Sequence, residues 1–233
     1  MSCRDRVGRH TPLALLLATA LCCTPPSERK KVPVATFVRQ VYADTVPFEE
    51  GRSYGAEAVP TLLSMLANPA ETAHWANVVL TLGMIGDAQA VDPLVAFLRS
   101  GGSEVVSEAV FVAKTNTLLA LGYIVNHSGD GRALDYLVAS LDPEVWTSQR
   151  RLEWVSPYQD VLDRDLHLVT MAVMGLSLSG HGEAGRVLRD FQSTEVYSRF
   201  RTHLSGVVDH ALVAHRKIAR EGLSEYYRDD QSR

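Results

Sequence analysis

The chain repeats itself, and an internal repeat constrains a fold tightly, because each copy must bury its apolar face against the next. The run from Leu82 to Leu98 is echoed by the run from Gly129 to Leu141. Gly86 and Asp87 correspond to Gly129 and Asp130, Ala90 to Ala133, Leu94 to Leu137 and Leu98 to Leu141. Upstream, Leu121, Gly122, Tyr123 and Ile124 echo Leu82, Gly83, Met84 and Ile85, with four additional residues, Val125 to Ser128, before the glycine. A half copy lies at Ala58 to Leu66. A worn copy lies at Leu176 to Leu188, where Gly180 and Ala184 keep their places but His181 stands in the position of the aspartate. The equivalent alanines Ala58, Ala90, Ala133 and Ala184 are 32, 43 and 51 residues apart, a widening that reads as insertions in the loops.

The unit is a helical hairpin. Val78, Val79, Leu82 and Ile85, then Val91, Leu94, Val95 and Leu98, recur at the three- and four-residue steps of two successive helices. Between them the glycine supplies a left-handed residue to end the first helix, and the aspartate caps the second by accepting its free N–H groups. The pattern Leu-Gly-x-Ile-Gly-Asp-x-x-Ala-Val-x-Pro-Leu, which begins at Leu82, resembles the HEAT-like repeat, in particular the short bacterial form also found in phycobilisome-lyase-type proteins. The resemblance spans roughly residues 55–192. It implies a right-handed all-α solenoid of about four hairpins whose usual role is scaffolding, and it brings no lyase activity with it. Aromatic residues make up only 7% of the chain, which suits closely packed helices better than a β-sandwich.

Flanking segments complete this organisation. Residues 1–23 form an export signal, 24–50 a tether and N-terminal helix, 51–192 the repeats with an insertion at 142–160, and 193–233 a C-terminal helical cap. The N-terminal helix is expected over Ala35 to Tyr42. In the cap, Leu204, Val207, Val208, Ala211, Leu212 and Ile218 recur at helical spacing, and Arg228 to Arg233 is expected to fray.

The export signal rests on Arg4, Arg6, Arg9 and His10, followed by the uncharged run Leu13 to Leu21, which is too short to span a bilayer as a helix. Its end has two readings. Ala18 and Ala20 satisfy the small-x-small rule for secretory cleavage. Cys22 and Cys23 instead resemble the cysteine that ends a bacterial lipoprotein signal, with Cys23 favoured over Cys22 because the residue before it is smaller. The polar, proline-containing stretch after Cys23 suits a tether. The expected location is therefore the cell envelope, periplasmic or held by a lipid, with no membrane contact other than that anchor. Without residues 1–23 the chain carries 20 basic and 26 acidic residues, a balance that argues against binding nucleic acid.

Conventional chemistry leaves no signature. All three cysteines, Cys3, Cys22 and Cys23, lie in the signal segment, so the remainder has no disulfide and no thiol nucleophile. Asp163 and His167 share a helical face that Asp165 does not, which is too few ligands for a metal and is read as capping. His203, His210 and His215 drift off a common face, and no histidine is followed by glutamate. No catalytic residue, metal or cofactor is expected. The insertion holds Trp146, Arg150, Arg151, Trp154 and Tyr158, the residue types that dominate interface hot spots, and these are the candidate partner-binding residues. The alternative is that the tryptophans fold back over the repeat edge. The expected function is a non-catalytic protein-binding scaffold. Its rival is an enzyme, or an enzyme's accessory subunit, with a polar pocket on the concave surface.

Overall fold

The turn chemistry acts residue by residue as the repeat implies. The computed structural model describes residues 31–43, 45–146, 152–158 and 164–230; Cys22, Cys23, Arg150, Arg151 and Asp163 lie outside them. Helix α4 (Trp75–Ile85) ends at Gly86, whose φ of 78° is left-handed. The Asp87 carboxylate then accepts the Gln89 N–H at 2.8 Å and leads through one tight 3-10 turn into α5 (Val91–Arg99). In the next unit Gly129, at φ 68°, ends α6 (Glu108–Ser128), and Asp130 accepts the Ala133 N–H at 3.1 Å to start α7 (Gly131–Ala139). In the third, Gly180 ends α8 (Arg164–Ser179) at φ 57°, but His181 gives α9 (Gly182–Phe191) no side-chain cap.

Val125 to Ser128 are not a loop insertion. They continue α6 by one turn, and the Gly129 N–H reaches the Val125 carbonyl at 2.9 Å. Four residues are close to the 3.6 of a helical turn, so the helix lengthens without rotating its apolar face. A true loop insertion is residues 100–107, between α5 and α6.

Helices α4, α6, α8 and α11 (Arg201–Glu221) stand side by side as an inner row, each packed on the next. The outer helices are α3 (Val59–Leu66), α5, α7 and α9. Here α5 packs on α6, α7 on both α6 and α8, and α9 on α8 and α11. This two-layered stack is an all-α solenoid. Among the described residues there is no strand, only an isolated parallel bridge between Val105 and Val155. The equivalent alanines Ala58, Ala90, Ala133 and Ala184 are all buried where the outer helices begin, and Leu94 and Leu137 are fully enclosed. Small residues let the inner helices approach. A Cβ on Gly83 would fall 2.5 Å from the Ala120 backbone, and one on Gly122 would fall 2.2 Å from the Gly175 carbonyl oxygen. Helix α6 is long and apolar enough to cross a membrane by length and composition. It is the central helix of the core, flanked on both sides by the inner row.

At the N-terminal end lie α1 (Val34–Val38) and α2 (Phe48–Arg52), which pack on α3 and α4. At the other end, α10 (Glu195–Arg199) leads into α11, which covers α8 and α9. Gly222, at φ 84°, then turns the chain into α12 (Leu223–Asp230), which returns to α2. The end that sequence composition marks as frayed is thus helical as far as Asp230. Val32–Arg233 forms one unit.

Candidate interaction groove

The inner row presents its free face to a groove of about 880 Å³. Helix α6 contributes Val112, Asn116, Leu119 and Tyr123, which fall on one stripe at steps of four, three and four. Leu80 from α4, Met174 and Leu178 from α8, and Val207 from α11 extend the apolar floor. Val112 and Met174 are 38% and 43% exposed, high for large apolar side chains in a helical core. Among the described residues the lining contains no aspartate, glutamate, lysine or arginine. Its polar groups are uncharged amides and hydroxyls together with His210. Asn77 is already committed, donating to the carbonyls of Val38 and Gln40, as is Ser177, which donates to Ala211 at 2.8 Å.

One end of the groove is closed by α12. Tyr226 and Tyr227 line it there, and the Tyr227 ring stacks on Phe48 at 4.8 Å while its hydroxyl pairs with that of Tyr123. Burial pushes the Tyr123 phenol up to about 12, so it stays protonated and able to donate. On the far side of α12 a second depression of about 440 Å³ is lined by Phe48, Arg52, Tyr123, His127, Glu221 and Ser224, among others.

The candidate hot-spot residues are placed elsewhere. Trp146 and Trp154 have no exposed surface, so neither indole is offered to a partner; they are taken into the core as the covered alternative requires. Trp154 Nε1 donates to the Leu98 carbonyl at 2.8 Å, and its ring meets Phe111 edge-on at 6.1 Å. Arg164 holds the segment down by donating to the carbonyls of Leu152 and Trp154 at 3.0 and 2.7 Å. Tyr158 is half-buried against Phe111. The insertion closes the end of α5, because that helix's last carbonyls need donors and aromatic cover. Nor do the other candidates assemble. His210 lies in the groove, His203 is exposed beside Thr202, and His215 is buried, donating to the His181 carbonyl at 2.9 Å. Among the described residues no three histidine, cysteine, aspartate or glutamate side chains group as metal ligands.

Sequence reasoning missed the groove. Helix α6 is apolar on nearly every side, so its periodicity does not reveal which stripe stays open. A clearer signal was Gly206, His210 and Ala214, a small or polar residue at every fourth position of α11.

With this two-layered geometry in place, the match to known families falls on α4 and α5, the best-formed hairpin. Residues 76–100 match the PBS lyase HEAT-like repeat. The matched span runs from the first turn of α4 to the residue after α5, so the HEAT-like unit recognised in sequence is one inner and one outer helix of the stack. The later hairpins, α6 with α7 and α8 with α9, follow by the same glycine turn and buried alanine. No curated protein and no solved structure gives a match.

Proposed function

We propose that this protein is a non-catalytic interaction scaffold of the bacterial cell envelope, and that the inner-row groove is the seat for an apolar face of a protein partner. HEAT-like repeats commonly mediate protein interactions. The observation that carries the reading is the lining itself: four helices combine to leave large apolar side chains open around an uncharged trough. An apolar helix face fits such a surface by burial, whereas a charged ligand would lose hydration there with no counter-charge to replace it. The test is affinity capture from envelope extracts with the parent chain, Val112→Glu and Met174→Glu. Both positions are partly exposed, so the variants should keep the parent's circular-dichroism spectrum and melting curve while losing the captured partner. Equal capture by all three chains would place the binding surface elsewhere.

The envelope location is supported by the basic start, the apolar run Leu13 to Leu21 and the pair Cys22 and Cys23. Acyl chains contribute about 0.8 kcal/mol per buried methylene, enough for two or more chains to hold a protein at a membrane. Replacing both cysteines by serine is therefore expected to move the chain from the membrane fraction to the soluble one with its helicity unchanged. A parent chain already soluble, beginning at Leu21, would show that cleavage follows Ala20 and that no lipid is attached.

A further inference from the structure

Helix α12 lies across the inner face as an internal ligand. It divides what would otherwise be one trough, because Tyr123 lines both the apolar groove on one side and the polar depression on the other. It packs on α11, where Lys217 Nζ sits 5.7 Å from the centre of the Tyr226 ring, and on α2. Leu223 is buried, Ser224 Oγ accepts from Arg52 at 2.8 Å, and Tyr227 enters the notch between Phe48 and Tyr123. Residues 223, 224 and 227 share a face at the three- and four-residue steps of a helix. Eight residues do not hold a helix in water without packing, so this element persists only while it is docked. Detached, it would leave Phe48, Tyr123 and Arg52 without their partners on α12 and join the two depressions.

We propose that the notch formed by Phe48, Tyr123 and Arg52 is the anchoring subsite for a partner's helix, and that α12 is a detachable strap occupying it until that helix displaces it. The fitting partner is a protein segment that presents, on one helical face, a hydroxyl or carboxylate for Arg52 and a tyrosine or phenylalanine three positions later. Its remaining apolar side chains run on into the uncharged groove. The inference rests on the groove being a partner seat only for what replaces the strap; the strap's own detachment is tested separately.

The probe is a labelled synthetic peptide of residues 222–233, added to the full chain. In the parent the strap competes from within, and the apparent affinity is reduced by the fraction of chains in which it is open. The full-length double variant Leu223→Ala with Tyr227→Ala, whose strap is weakened, is expected to bind the peptide at least about tenfold more tightly than the parent. Adding Arg52→Ala to that variant, or using a peptide with Tyr227→Ala, should remove the gain. A gain that ignores both changes, or no gain at all in a variant with parental circular dichroism, would overturn the proposal. Hydrogen exchange on the unmodified parent gives a second reading. Amides of residues 226–230 should exchange well ahead of those in the middle of α11, and equal protection would show that α12 is a fixed part of the core. Failure of Met174→Glu to alter partner capture would count against the groove and leave the peptide result standing, so the two readings fail separately.

Discussion

Lys114 sits on the central helix with Nζ 2.6, 3.3 and 2.8 Å from the carbonyl oxygens of Phe97, Leu98 and Ser100, and 4.9 Å from the centre of the Phe97 ring. These are the open carbonyls at the end of α5, where a buried cation serves both as hydrogen-bond donor and as counter-charge to the helix terminus. Burial nevertheless pushes its pKa down from 10.5 to about 8. The unfolded chain then binds more protons than the folded one between those two values. Stability should accordingly rise with pH across that window, its gain complete above the unfolded value and lost as pH falls through about 8. Chemical denaturation at pH 7.5 and 9.5 should show an increase on the order of 1 kcal/mol that is absent in Lys114→Met. The same variant should be less stable than the parent at pH 7.5 by about 1–3 kcal/mol, since it removes the donor shared by the Phe97, Leu98 and Ser100 carbonyls. A parent whose stability is flat over this range would mean that Lys114 keeps an ordinary pKa.

Helix starts are where the repeats differ most. Asp87, Asp130 and His181 occupy equivalent positions, with φ of -75°, -60° and -74° and extended ψ in all three. Two of them cap the following helix through a carboxylate, and the third has no side-chain cap, although its backbone already has the shape that would allow one. His181→Asp is therefore expected to stabilise the protein by about 1 kcal/mol, through the new cap and the favourable charge at the start of α9. In a thermal melt that corresponds to a rise of a few degrees, and an unchanged or lower midpoint would show that the eroded repeat differs in more than this side chain. The replacement of aspartate by histidine was legible as erosion from sequence, because capping depends on one side chain and the N–H groups within three residues of it.

Across the whole molecule the units depend on their neighbours, since a single hairpin leaves one apolar face uncovered. Leu94 and Leu137 are fully buried at matched positions of α5 and α7. Leu94→Asp or Leu137→Asp should unfold much of the stack, because an unpaired buried carboxylate costs several kcal/mol, comparable with the stability of an entire domain. Val213→Asp, at a position 57% exposed on α11, should melt with the parent within about 0.5 kcal/mol. A parental melt for either leucine variant would mean that the repeat register is misplaced. That register, the glycine and aspartate turns and the buried alanines were readable from sequence alone, because each follows from contacts within a hairpin. Other features depended on residues far apart in the chain. Trp146 and Trp154 have a composition that suits an interface as well as a core, and the unsatisfied end of α5 drew Trp154 inward. Helix α6 is apolar on so many sides that only the packing of α4, α5, α7 and α8 around it decides which stripe remains open. The course of α12 was not encoded locally at all: Tyr227 stacks on Phe48, far away in the chain, only because the stacked helices between them set where the turn at Gly222 delivers α12.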